Sequence, residues 1–293
     1  MNMDFKSAKE LLALCAENAL PISEVMRRRE CLLGEVEQDA VDRRMAKAWD
    51  IMRASATQPL ETPIKSMGGL IGGEAKTLQA HAAEGKGICG DVLQKAMTYA
   101  MAVLEVNASM GLIVAAPTAG SAGVGPGLLL ALQECYDLPD GRIVDALFNA
   151  GAVGYLAMRN ATVAGAVGGC QAEIGIASAM AASAAVELLG GTPQQCLDAA
   201  STVLMNMLGL VCDPVGGLVE YPCQNRNAAG VANALVAAEM ALSGIRQLIP
   251  FDQMLDAMYA VGKRLPAELR ETALGGCATT PAACAACGRC GGN

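Results

Sequence analysis

Apolar positions along the chain return at three- and four-residue intervals and nowhere alternate cleanly, which is the period of helices and not of half-buried strands. The expected fold is therefore all-α, a compact multi-helix domain whose connecting loops carry glycine and cysteine. Residues 3–17 predict one short amphipathic helix. Ser23 is placed to cap a longer one reaching about Ala54, with MRRRE and VDRRMAKAWD as a solvent-facing charged surface. From Lys65 to Gly90 the pattern dissolves into glycine and lysine, and both a surface connection and a lid over a substrate fit it. His81, the one histidine, falls in that polar segment, where a solvated role is expected.

Asp91 opens the next helix, DVLQKAMTYAMAVLEVNASMG, which gives way to IVAAPTAGSAGVGPG over residues 113–127. Further helices are expected from about Pro126, over 141–159, and onward from Cys170 with Gly175, Ala177, Ala181 and Ala184 as a small-residue face. Thr192, Pro193 and Gln195 form a capping box ahead of CLDAASTVLMNMLG, which stops at Gly209. An Ala-rich helix follows over 225–243, closed by Gly244. Asp252 is expected to cap the last long helix, which ends before Pro266. No internal repeat is evident.

Composition narrows the picture. The chain has 293 residues and is 53% hydrophobic yet only 3% aromatic, so its core is built from small aliphatic side chains that let helices approach closely. The expected organisation is an N-terminal helical segment (1–60), a catalytic domain (61–276) and a Cys/Gly-rich tail (277–293). A net charge of -8, without a basic stripe or interleaved aromatics, excludes a nucleic-acid partner. Mean hydropathy is +0.35, but the longest uncharged run, Val106 to Gln133, is broken by Pro117, Pro126 and several Gly and Ser residues. A spanning helix needs about 20 apolar residues in a row, so no membrane role is expected. MNMDFKSAKE lacks the apolar segment of a leader. The expectation is a soluble cytoplasmic protein.

The chemistry concentrates in CDPVGGLVEYPCQNRN, residues 212–227. Pro214, Gly216, Gly217 and Pro222 forbid a helix there, leaving an ordered loop with Cys212 and Cys223 at its ends. Gln224, Asn225, Arg226 and Asn227 then put donors at a helix start. Thiolates beside such donors can hold a metal centre and an anionic ligand together. The chain has twelve cysteines, but a disulfide framework belongs to short secreted chains. Cys15, Cys31, Cys89, Cys135 and Cys196 read as core-filling thiols in helical segments. Cys170 falls in the first turn of a helix, where a thiolate is favoured. The spacing Cys170–x41–Cys212–x10–Cys223 is neither a zinc-finger nor a ferredoxin spacing, so on spacing alone a metal site and three unrelated buried thiols both stand. Three thiolates instead of four would leave one iron of a cubane free for substrate. The 117–125 loop matches neither the P-loop nor the dinucleotide fingerprint. Its amides, with the hydroxyls of Thr118 and Ser121, suit a small carboxylate; a tight helix-helix connection fits equally.

GKGICGDVLQKAMTYAMAVLEVNASMGLIVAAPTAGSAGVGPG, GGCQAEIGIASAMAA, CDPVGGLVEYPCQNRNAAGVANA and LRETALGG, in that order, resemble the iron-sulfur-dependent L-serine dehydratases. The likeness covers roughly residues 60–280 and is to the α chain, or the α half of single-chain members. It implies a 4Fe-4S cluster on Cys170, Cys212 and Cys223, and deamination of L-serine to pyruvate and ammonia without pyridoxal phosphate, a lyase step of amino-acid catabolism and gluconeogenesis. Within that reading Thr118, Ser121, Asn225 and Arg226 are the substrate-binding candidates, and neutralising the anionic cluster is an equal role for Arg226. The catalytic base stays unassigned. Family members also need a β part with a Ser-Ser-His-Thr-like motif, absent here, so a separate β subunit is the expected partner, in an oligomeric assembly.

The tail GGCATTPAACAACGRCGGN departs from the family pattern, and three readings stand for Cys277, Cys284, Cys287 and Cys290. They are idle thiols on a flexible end, an independent C-x2-C-x2-C metal site, or the source of a cysteine that folds back onto the open iron. Two other functions compete. A cluster-carrying scaffold without catalysis would not need the 117–125 loop. The same chemistry on threonine or another β-hydroxy amino acid turns on a methyl group worth about 1–3 kcal/mol.

Overall fold

Helices carry the chain throughout residues 3–288, which this computed structural model describes. They are α1 (Ala8–Asn18), α2 (Ile22–Gly34), α3 (Gln38–Glu61), α4 (Glu74–Ala83), α5 (Gly90–Ala108), α6 (Val124–Tyr136) and α7 (Asp140–Asn160). After these come α8 (Gly165–Gly168), α9 (Ile176–Leu188), α10 (Pro193–Asn206), α11 (Cys223–Leu242), α12 (Phe251–Arg264) and α13 (Pro281–Cys287). The fold is all-α, with no strand among the described residues; one isolated bridge pairs Cys212 with Arg270. None of the described helices is long and apolar enough to cross a membrane.

The helix with the smallest side chains lies at the centre. α9, IASAMAASAAVEL, has no polar face, and eleven of its thirteen residues are buried. Its Ala and Ser surface lets α6, α7, α10 and α11 pack directly against it. Around it one apolar cluster runs from Phe5 to Met258, with Trp49, Phe148 and Leu156 among its largest side chains.

Helix ends explain most of the agreement with the sequence pattern. Thr192 and Gln195 form the expected reciprocal box at the start of α10. Pro126 sits at the third position of α6, where its missing amide costs nothing. Gly209 and Gly244 take left-handed φ angles of 88° and 89° just past α10 and α11.

Corrections cluster at the N-terminal end. The 3–17 helix starts only at Ala8, capped by Ser7, whose side chain accepts from the Glu10 amide at 3.1 Å. The long helix from Ser23 is two helices, because Glu35 turns left-handed (φ 50°) after α2 and the chain restarts at Gln38. Ser23 is not a cap; it lies in the first turn of α2 and its amide donates to Glu187 at 3.3 Å. Asp252 does not cap its own helix either. It accepts from the amides of Ala8 (2.8 Å) and Lys9 (3.2 Å), capping α1 across the whole length of the chain.

The charged face of MRRRE is only partly turned to solvent: Arg28 is exposed, but Arg27 and Arg29 are 8% and 7% exposed. Arg27 is neutralised by Glu24 (2.8 Å), Asp42 (2.8 Å) and Asp145, and lies over the Phe148 ring at 4.6 Å. His81 is exposed as expected, but on a helix, in the last turn of α4. Among the cysteines expected in the core, Cys15 and Cys196 are buried and Cys31 and Cys135 are half-buried. Cys89 is exposed, because it belongs to the turn that precedes α5.

Candidate functional site

Segments far apart in sequence bring Cys170 against Cys212, and Cys223, at the far end of the same loop as Cys212, lies near enough to feel the charge of Cys170. Cys170 follows α8 and opens a π-helical turn, Gln171–Gly175, that leads into α9. Its backbone is fixed by Gln171, whose amide donates to Leu210 O (3.0 Å) and whose side-chain oxygen accepts from Gly209 N (2.8 Å). Those bonds clamp the end of α10 to the Cys170 turn and deliver the chain to Cys212. Cys212 is then held by the LRETALGG segment, donating its amide to Leu269 O (2.9 Å) and accepting from Glu271 N (2.7 Å). Cys223 is the first residue of α11. All three thiols are buried, at 3%, 4% and 9% exposure.

Glycine permits the close approach at one position in particular. A Cβ on Gly165 would stand 2.3 Å from Glu173 Oε2 and 3.0 Å from Cys212 Sγ, so α8 can pass over the thiols only without a side chain there.

Charge distinguishes the three thiols. Cys170 is held below the ordinary thiol range by its contact with the Cys212 thiol, against burial, with the Arg226 guanidinium adding to the effect. Cys212 is pushed up by the same contact, then by burial and Glu173. Burial raises Cys223 to about 12, with Cys170 and Glu173 next. The expected cause at Cys170 was its place at a helix start; the actual leading cause is a second thiol.

Arg226 sits on α11, forms an ion pair with Asp213 Oδ1 (2.7 Å) and donates to Val211 O (2.9 Å). Asp213 is 2% exposed, so this ion pair is interior. Cys170 and Asp213 together outweigh burial and hold the guanidinium charged. Asn225 is exposed on the neighbouring position.

The 117–125 loop contains a short 3-10 turn, Ala119–Ser121, closed by a reciprocal box between Thr118 and Ser121. Ser121 is fully buried and its hydroxyl stays within that turn, 3.1 Å from Thr118 Oγ1. Thr118 reaches outward, donating to Glu173 Oε1 at 2.9 Å. Asn227 ties the loop to α11, accepting from Gly123 N (3.0 Å) and donating to Gly120 O and Cys223 O (both 2.8 Å).

Glu173, Asp213 and Asn227 play parts that the sequence pattern did not assign. Glu173 is half-buried between Thr118 and Cys212, whose thiol lies 3.5 Å from its Oε2. Burial raises its carboxyl pKa, opposed by Thr118. The available signal was a lone carboxylate inside the otherwise apolar, small-residue run GGCQAEIGIASAMAA.

The rest of the loop and the tail close around the same centre. Glu220, 2% exposed, accepts from Ser66 Oγ (2.7 Å), Gly68 N (2.6 Å) and Leu70 N (2.9 Å), pinning the start of the Lys65–Gly90 segment to it. The Cys277 amide donates to Asp213 Oδ2 at 2.6 Å, and α13 packs over Val215–Gly217 with Cys287 beside Gly216. Cys277, Cys284 and Cys287 are half-buried; Cys290 lies outside the described residues. Among the described residues no three His, Cys, Asp or Glu side chains converge as they would around a single ion.

The donor set suits an iron-sulfur group: three buried thiols on fixed backbone, one with its pKa lowered, and a guanidinium to offset negative charge.

Comparison with known proteins bears on the same residues. Residues 17–278 match the family model described as serine dehydratase alpha chain. The chain is 47% identical to the probable L-serine dehydratase, alpha chain, of Bacillus subtilis, over 94% of this chain and 92% of that one. It is 45% identical to the L-serine dehydratase, alpha chain, of Peptoniphilus asaccharolyticus, over 93% of each. It is 38% identical to the L-serine dehydratase of Helicobacter pylori, over 94% of this chain but 62% of that longer one.

Proposed function

Because the chain belongs to the serine dehydratase alpha chain family, we propose that it is the α subunit of an L-serine dehydratase, a carbon-nitrogen lyase. L-serine loses water across Cα–Cβ, and hydrolysis of the resulting enamine gives pyruvate and ammonia. The observation that carries the reading is the contact between the buried Cys170 and Cys212 thiols, with Cys223 at the far end of the same loop as Cys212 and the Arg226 guanidinium beside them. They would hold a 4Fe-4S cluster. When bound, such a cluster supplies a Lewis acid that polarises the substrate hydroxyl as a leaving group.

The chain's own residues prepare the site. Arg226 keeps its charge beside Cys170 and offsets the negative charge of thiolate ligands. Thr118 fixes the Glu173 carboxylate, and Asn227 holds the 117–125 loop against α11. Of the four substrate-binding candidates, Thr118 and Arg226 remain at the centre, while Ser121 serves the loop's own turn and Asn225 faces outward. The base that removes the α-proton is left to the partner.

That partner is a separate β subunit. Two relatives named as α chains are matched over 92% and 93% of their length, the Helicobacter pylori enzyme over 62%. The assembled enzyme works in the cytoplasm as an oligomer and needs no pyridoxal phosphate.

The test is anaerobic co-expression with a β subunit and assay of pyruvate from L-serine and of 2-oxobutanoate from L-threonine. Turnover of serine, lost in Cys223→Ser, is expected. No turnover of either substrate by an iron-loaded assembly would overturn the reading.

A further inference from the structure

At the end of α10 remote from Cys212, two cavities meet. One, of about 570 Å³, runs between α1 and the start of α10 and is lined mainly by apolar side chains, among them Leu12, Leu20 and Pro193. The other, of about 430 Å³, extends to the segment between α11 and α12. Leu12 and Gln194 line both, so the two are ends of one groove of ligand size.

The ends differ in chemistry. Two carboxylates line the second end, and each already has its donors. Asp198, 4% exposed, accepts from Arg246 Nε (2.7 Å) and Gln194 Nε2 (3.0 Å). Asp252 accepts from the amides of Ala8 and Lys9. The donors of the same wall are left over. Arg246 engages Nε alone, and its two terminal nitrogens have no partner among the described residues. The side chains of Lys9, Gln247 and Gln253, in the same lining, have none either. An exposed lysine by itself marks only a solvated surface. Arg246 differs, because its side chain is 66% exposed and yet anchored at Nε by a buried carboxylate. Its remaining N–H groups form the fork that takes the two oxygens of a carboxylate.

We propose that this groove binds an aliphatic carboxylate, its head on Arg246 and its chain along Leu12 and Pro193 towards Leu20. The head supplies the acceptors that this end of the groove lacks, and the chain covers the apolar end. Inorganic phosphate would meet the guanidinium and leave the apolar end wet; an alcohol of equal length would do the reverse. The site is separate from the cysteine centre and does not depend on the dehydratase reading.

The test is titration calorimetry on the full chain, alone and assembled with a β subunit, with octanoate, 1-octanol and inorganic phosphate as probes. Octanoate is expected to bind in both states, about 10-fold or more tightly than either other probe. Arg246→Gln is expected to weaken octanoate by about 10-fold or more and to leave octanol unchanged. Arg246→Lys keeps the charge without the fork and is expected to fall between. Ala16 is an exposed position of α1 in the apolar lining. Ala16→Phe is expected to fill that end and weaken octanoate and octanol alike. Thermal melts followed by circular dichroism check that each variant is folded.

Failure of the free chain to bind octanoate would overturn the inference. Octanol as tight as octanoate, or octanoate unaffected by both Arg246 variants, would overturn the head assignment and the proposal with it. Phosphate as tight as octanoate would do the same for the chain. Binding to the free chain that disappears on assembly would overturn it by making the groove a contact with the β subunit. Should Arg246→Gln melt early by stranding Asp198, Arg246→Lys and the three probes on wild type decide.

Discussion

Two sets of buried thiols in this chain sit beside opposite charges. Cys15 and Cys196 share their surroundings with the Glu187 carboxylate, and burial first, then that carboxylate, raises both; Cys15 reaches about 12. Cys170 and Cys212 share theirs with Arg226, and Cys170 is lowered, first by Cys212 and then by the guanidinium, in spite of burial. Burial alone makes a thiol inert; a partner thiol and a neighbouring cation favour the thiolate form that a metal requires. The arginines show the same division. Arg27, in the N-terminal layer, meets three carboxylates and a phenyl face and needs nothing more. At the cysteine centre the carboxylates and thiols outnumber the cations among the described residues.

The comparison breaks most directly at the thiols themselves. Cys212→Ser is expected to lower turnover of the assembled enzyme by about 1,000-fold or more, the loss of several kcal/mol of electrophilic stabilisation. Cys196→Ala is expected to leave turnover intact and to cost about 1 kcal/mol in urea denaturation. Equal losses of turnover in the two would erase the distinction.

Next in size is the buried cation. Arg226→Gln strands Asp213, which is 2% exposed, and is expected to cost about 3–5 kcal/mol. Urea denaturation of the iron-free chain measures this, and Asp213→Asn in the same chain should restore part of it. No loss in the single variant would show that the pair is not a closed interior unit.

Glu187 sharpens the other side. Burial raises its pKa, opposed by Ser23 and Asn149. A raised carboxyl favours the protonated fold, so its contribution is complete below the ordinary value of 4.5 and is lost as pH rises through the folded value. Wild type should therefore lose stability as pH rises above 4.5, and Glu187→Gln should flatten that fall. Parallel pH profiles would contradict the assignment.

The smallest effect tests a cap. Asp252→Ala is expected to cost about 1 kcal/mol, with faster hydrogen exchange at the Ala8 and Lys9 amides and no change at the cysteine centre.

The helical framework was legible in the sequence where a single residue or a local period decides it. The Thr192 box and the small-residue α9 are set by neighbours within one or two turns. The misreadings have the opposite cause. Asp252 was assigned to its own helix because its true partner, the start of α1, is 244 residues away. The MRRRE face was read as solvated because the carboxylates of Asp42 and Asp145 and the ring of Phe148, which let Arg27 be buried, lie on α3 and α7. At the centre, the cysteines stood out by type and by family likeness, whereas Glu173 did not. One carboxylate in an apolar run gains meaning only when Thr118 and Cys212 are seen on either side of it.

The tail gives the same lesson in reverse. The sequence leaves three readings for it (idle thiols on a flexible end, an independent metal site, a cysteine folded back onto the open iron), and Cys277 and Cys287 are packed against Asp213 and Gly216.

The central claim is that the thiols of Cys170, Cys212 and Cys223 form the metal centre. Its most direct test is iron and acid-labile sulfide content, with a visible spectrum, on anaerobically purified chain co-expressed with a β subunit. Wild type is set against Cys170→Ala, Cys212→Ala, Cys223→Ala and a chain ending at Thr280. About four irons per chain are expected, lost in each of the three variants and kept in the shortened chain. Colour that survives the three substitutions and bleaches only on shortening would move the metal to the tail and contradict the claim.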